Sequence, residues 1–129
     1  MNDSKSIDME KYYRCRKELT KLYKNDAVNT GNLACKVLEI RDKSRAVNSI
    51  NLELQDGRIT VEVRPDTTAK KKDEIINKIT NCIGKYIVDN KYALDQAIAD
   101  DEQFNNVIIG GNNFCDVYNI GDEIIFGLF

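Results

Sequence analysis

The run from Ile50 to Val63 constrains this chain more than any other part of it. Apolar and polar residues alternate on either side of Asp56-Gly57, the dipeptide that a two-residue type I′ turn requires because both central residues take positive φ. With Asp56 and Gly57 as the turn, Gln55 faces Arg58, Leu54 faces Ile59, Leu52 faces Val61 and Ile50 faces Val63. The other side pairs Glu53 with Thr60 and Asn51 with Glu62. Turn chemistry and the period of two agree on one half-buried hairpin, with strands from Ala46 to Gln55 and from Arg58 to Arg64. The β-rich stretch from Leu33 to Arg41 reads as a further strand ahead of it.

On either side of these strands the period becomes helical. From Ile7 to Lys24, Tyr12, Cys15, Leu19 and Leu22 recur at +3, +4 and +3, with Ser6 as cap and Asp8 and Glu10 suiting the helix dipole. Asn25 to Asn32 reads as a loop around Gly31. After Pro65, the residues Asp66, Thr67 and Thr68 offer caps for a second helix, whose apolar face is Ile75, Ile76, Ile79, Cys82, Ile83, Tyr86 and Ile87. Gly84 interrupts that face at a cost of about 1 kcal/mol relative to Ala. Asp89-Asn90 breaks the helix, and a shorter third one carries Tyr92, Leu94, Ala97 and Ile98.

The C-terminal segment reads as a three-stranded meander. Gly111-Asn112 turns Val107–Gly110 onto Asn113–Ile120, and Gly121-Asp122 turns the chain again, so that Val117 faces Phe126. Both faces are apolar: Phe114, Tyr118, Ile125 and Phe129 on one, Cys115, Val117, Phe126 and Leu128 on the other. Such a strand is either central in a covered sheet or part of a subunit interface. Phe114, Tyr118, Ile125 and Phe129 are therefore the candidate homodimer face. The element order predicted is α-βββ-αα-βββ. It implies a single α+β domain over residues 1–129, with 1–6 a flexible lead. Its antiparallel sheet has five to six strands, covered by about three helices on one face. Two small sheets sandwiching the helices are the alternative.

Catalytic templates find little purchase here. At 129 residues a chain buries enough surface to fold without a metal or disulfide staple. Histidine is absent, which removes the commonest general base and zinc ligand. Cys15, Cys35, Cys82 and Cys115 show no CxxC spacing and read as free thiols of a reducing, cytoplasmic compartment. No stretch has the length of a membrane span, and Met1 to Glu10 lacks the apolar core of a secretory signal. Ser4, Ser6, Ser44 and Ser49 have no nucleophile-elbow context, and Gly110-Gly111 leads to a strand rather than to a phosphate-holding helix N-terminus. Asp100-Asp101-Glu102 are consecutive, so as helix residues they point in different directions rather than into a calcium loop. No metal or cofactor is expected.

Charge is the more informative signal. Residues 1–88 hold 18 of the 19 Lys and Arg but 13 of the 21 Asp and Glu, whereas in 89–129 Lys91 alone stands against eight acids. Arg14, Lys17, Lys21 and Lys24 form a solvated helical stripe. Arg41, Lys43, Arg45, Arg58 and Arg64 lie on or beside the first hairpin, and Lys70, Lys71 and Lys72 open the second helix, where cations oppose the macrodipole. These eight are the candidate binding residues. A sequence pI of about 5.2 and the lack of interleaved aromatics place nucleic acid behind an acidic protein surface as partner. The leading expectation is a non-catalytic binding module of the inhibitor or immunity type. Its abundance of Ile, Asn and Lys resembles that of small phage-encoded anti-defence proteins, a likeness of composition with no transferable motif. The alternatives are a binder of a small anion such as a nucleotide at the first hairpin, and a small carboxylate-dependent enzyme.

Overall fold

The computed structural model of the chain describes residues 9–25, 27–90, 96, 100–102 and 115–128. They form α1 (Met9–Asn25), α2 (Ala27–Lys43), β1 (Val47–Glu53), β2 (Arg58–Val63), α3 (Ala69–Asp89), β3 (Asp116–Ile120) and β4 (Glu123–Gly127). The fold is α+β, with one antiparallel four-stranded sheet in the order β1-β2-β4-β3. The described elements run α-α-β-β-α-β-β, so the predicted order is corrected where Leu33–Arg41 is concerned, and four of the predicted five to six strands stand among the described residues. The third helix over Tyr92–Ile98, the strand Val107–Gly110, Phe114, Phe129 and residues 1–6 lie outside the described residues.

The hairpin forms with its faces as expected but its register two residues away. Leu52 pairs with Ile59 and Ile50 with Val61, while Asn51 pairs with Thr60 and Glu53 with Arg58. A two-residue turn would use only Asp56 and Gly57. Instead Leu54–Asp56 wind into a short 3-10 turn that closes on Gly57, which is left-handed at φ 71. Slipping by an even number of residues leaves every side chain on its predicted face. At the far end, the register shifts between Val47 and Ser49. This bulge lets odd-numbered Val47 and even-numbered Ile50 both point into the core.

The stretch from Leu33 to Arg41 is helix, not strand, and the expected loop from Asn25 to Asn32 is largely its first turns. Leu33, Val37 and Ile40 are buried at spacings of +4 and +3 while Cys35, Lys36 and Glu39 are exposed, a helical stripe in a segment rich in helix formers. The basic last turn of α2 also suits the negative end of its dipole. In α1, Leu19 is fully buried. Helix α3 follows expectation closely. The Thr68 hydroxyl accepts the Lys71 N–H at 3.1 Å, and at the other end Asn90 donates its side-chain amide to the Tyr86 carbonyl at 2.8 Å. Ile75, Ile79, Ile83 and Ile87 are each at most 1% exposed, and burying each contributes roughly 1.5–3 kcal/mol.

All of this apolar surface meets on one side of the sheet. Val47, Ile50, Ile59, Val61, Val63, Ile124, Phe126 and Leu128 share one core with α1, α2 and α3. The opposite face carries Ser49, Asn51, Arg58, Glu62, Asp116 and Tyr118, all exposed. Strand β4 is apolar on both sides because it is interior, pairing with β2 through Ile124–Val61 and Phe126–Ile59. Its turn onto β3 is the predicted one: Val117 pairs with Phe126, and Ile120 and Glu123 flank Gly121-Asp122.

Candidate functional site

Three chain segments converge at one end of the sheet. Helix α2 delivers Arg41, Lys43 and then Arg45 to the start of β1, and β2 ends beside that start, with the Arg64 N–H bonded to the Ala46 carbonyl at 2.9 Å. Pro65 and Asp66 then turn the chain into α3, whose first residues include Lys70, Lys71 and Lys72. Because Leu33 and Lys36 of α2 share a cavity with Cys82 and Asp89 of α3, the two helices run antiparallel and bring the end of α2 to the start of α3. Seven of the eight predicted residues therefore share one end of the molecule.

Arg58 does not. It pairs with Glu53 and Gly127 at the other end of the sheet. Arg64 lies six residue steps of strand away, about 20 Å, with Glu62 exposed on the same face as Arg58. At more than a Debye length its charge adds nothing to the cluster.

Within the cluster, three cations are already engaged. Arg41 meets Asp42 at 3.4 Å and Lys71 meets Glu74 at 3.4 Å, while Lys72 donates to the Gly121 carbonyl at 3.0 Å and so ties α3 to the β3–β4 turn. Lys43, Arg45, Arg64 and Lys70 are exposed, and among the described residues none of them makes an ion pair. On the predicted solvated stripe of α1, Arg14, Lys17 and Lys21 are exposed as expected. Arg16, which sequence reasoning passed over, is instead only 15% exposed and pairs with Asp116 at 3.4 Å. Like Lys85, which meets Asp89 at 3.5 Å, it is neutralised by the acidic C-terminal part of the chain.

A shallow cleft of about 460 Å³ at this same end opens on the bare face of the sheet, lined by Asn48, Pro65, Ile120 and the carboxylates of Glu62, Asp122 and Glu123. Its walls repel anions, so this cleft gives a phosphate no seat beside the cations among the described residues. A second cavity, about 280 Å³, lies between α2 and α3 against Leu33, Cys82 and Tyr86, with Lys36, Lys85 and Asp89 at its polar side. Reading Leu33–Arg41 as a strand hides it, although the +4 and +3 recurrence of Leu33, Val37 and Ile40 carries the helical signal.

Neither described thiol in a packed setting is activated. Burial pushes the Cys115 thiol up to about 11, opposed by the Arg16 guanidinium and reinforced by Asp116. Burial likewise raises Cys82, with Glu39 adding to it and Lys36 opposing. Thiols held protonated are poor nucleophiles. Among the described residues no group of three or more Cys, Asp or Glu is placed to hold a metal, and no helix is long and apolar enough to cross a membrane. Comparison with family models, with curated proteins and with solved structures gave no match.

Proposed function

We propose that this chain is a non-catalytic binding module of the inhibitor or anti-defence kind, which docks an acidic protein surface through Lys43, Arg45, Arg64 and Lys70. One observation carries the reading: four exposed cations gathered from the end of α2, the α2–β1 and β2–α3 connections and the start of α3, without an ion pair among the described residues, beside a cleft that is itself acidic. Uncompensated charge on an open surface costs little and steers encounter with an oppositely charged partner. A small anion such as a nucleotide would need an enclosed basic pocket, and the nearby cavity has the wrong sign. A sequence free of histidine also supports binding over acid–base chemistry.

The test is affinity capture with the full chain against lysate of its source, beside a Lys43→Glu, Arg45→Glu, Arg64→Glu, Lys70→Glu variant. The expected result is one stoichiometric protein held by the wild type, released by rising salt, and absent from the variant at unchanged melting temperature. Retention by the variant, nuclease-sensitive retention, or nucleotides raising the melting temperature by several degrees with no protein held would each overturn the reading.

A further inference from the structure

The exposed cations of the docking surface share their end of the molecule with carboxylates that none of them engages. Glu62, Asp122 and Glu123 are exposed and, like Lys43, Arg45, Arg64 and Lys70, make no ion pair among the described residues. Backbone contacts fix how near the two signs lie. Arg64 follows Glu62 by two residues of extended chain, roughly 7 Å, with buried Val63 between them. The Val63 N–H donates to the Asp122 carbonyl at 2.8 Å, which sets Asp122 beside both. Glu62 and Glu123 are direct partners across the β2–β4 ladder, a like-charge pair that costs stability. Residues 103–114 contain no ionisable side chain and so contribute no charge to this end.

We propose that Glu62 and Glu123 are specificity residues, which keep the docking cations from binding nucleic acid while leaving them available to a localised acidic patch on a protein. This role rests on the reading of Lys43, Arg45, Arg64 and Lys70 as a docking surface. A duplex carries one negative charge for about every 1.7 Å of its axis. Phosphates that approach Arg45 and Arg64 therefore also run over the opposed glutamates. Arg64 and Glu62 lie within the Debye length of about 8 Å at physiological salt, so attraction and repulsion act together on the same ligand.

A protein partner differs from a duplex in how its charge is spread. Its carboxylates can be confined to the cations, while neutral or basic groups face the acidic cleft. Repulsion aimed at the wrong class of ligand is a general source of specificity. It also gives the unfavourable Glu62–Glu123 pair a use. Asp122 adds to the same repulsive field from the adjoining turn.

Fluorescence anisotropy with a labelled DNA duplex of about 20 base pairs, at about 50 and about 150 mM salt, tests this. The wild type is expected to leave the duplex free at about 100 µM protein and about 150 mM salt. The variant Glu62→Gln, Glu123→Gln is expected to bind at least about fivefold tighter than the wild type at the lower salt. Its melting temperature should not fall, since a repulsive pair is removed. The control Glu53→Gln, Asp56→Asn makes the same change in net charge at the opposite end, beside Arg58, and is expected to bind as the wild type does. Unchanged affinity in Glu62→Gln, Glu123→Gln, an equal gain in the control, or a duplex already held by the wild type at the higher salt overturns the proposal. The first two results leave the docking reading standing, which the capture experiment decides separately.

Discussion

Ile124 and Ile120 lie four residues apart around one turn, yet Ile124 is 0% exposed and Ile120 63%. Truncating each to alanine removes the same atoms from opposite environments. Ile124 pairs with Val61 on the core face of an interior strand, so Ile124→Ala loses its transfer free energy and leaves a cavity, together about 3 kcal/mol within a usual span of ~2–5. Ile120 loses almost nothing on truncation, about 0.5 kcal/mol or less. A domain of this length unfolds with roughly 2 cal/mol/K of entropy per residue, so about 3 kcal/mol lowers the midpoint by roughly 11 °C. Thermal and urea unfolding of both variants, followed by circular dichroism, should therefore separate them by about 10 °C with unchanged m-values. Equal losses would refute the placement of Ile124 on the core face of β4 and of Ile120 on the exposed face at the end of β3.

Three further outcomes follow from local features. The Cys115 thiol, ordinarily ionising at 9.0, is held protonated in the fold up to about 11. The stability it contributes is complete below pH 9.0 and fades as pH rises toward the folded value, by up to about 2 kcal/mol; urea midpoints at about pH 8 and about pH 10.5 should diverge less in Cys115→Ala than in the wild type. Gly121 takes φ +59 with nothing within 4 Å of where a Cβ would stand, so Gly121→Ala costs only backbone strain, about 1–2 kcal/mol, and Gly121→Asn less, measured by the same denaturation. Thr68→Ala leaves the Lys71 N–H without its side-chain acceptor and should cost about 1 kcal/mol, most of it recovered by Thr68→Ser.

Local chemistry made much of this protein legible beforehand. The alternation around Asp56-Gly57 placed the side chains from Ile50 to Glu53 and from Arg58 to Val63 on their faces, the cap candidates that include Thr68 and the isoleucine repeat marked α3, and Gly121-Asp122 specified the β3–β4 pairing down to Val117 against Phe126. Each of these depends on neighbours within a few residues, where turn geometry and side-chain period act directly. The error at α2 is a missed period: Leu33, Val37 and Ile40 recur at +4 and +3, and Leu33, Ala34, Lys36, Leu38, Glu39 and Arg41 are good helix formers. The hairpin register moved by two because Leu54–Asp56 coil into a 3-10 turn, a choice that Asp-Gly by itself does not force.

Whether the candidate residues form a site was a different kind of question. That Arg45 and Arg64 come together while Arg58 stands a strand's length away depends on which ends of β1, β2, α2 and α3 coincide. That Tyr118 and Ile120 border solvent while Phe126 is buried depends on β4 pairing with β2 across more than sixty intervening residues. Sequence determined the elements and the faces they would bury, since both are short-range properties. Only the packed fold decided which charges would be neighbours and which strand would be left at an edge, because long-range pairing arises from the joint burial of all the apolar faces at once.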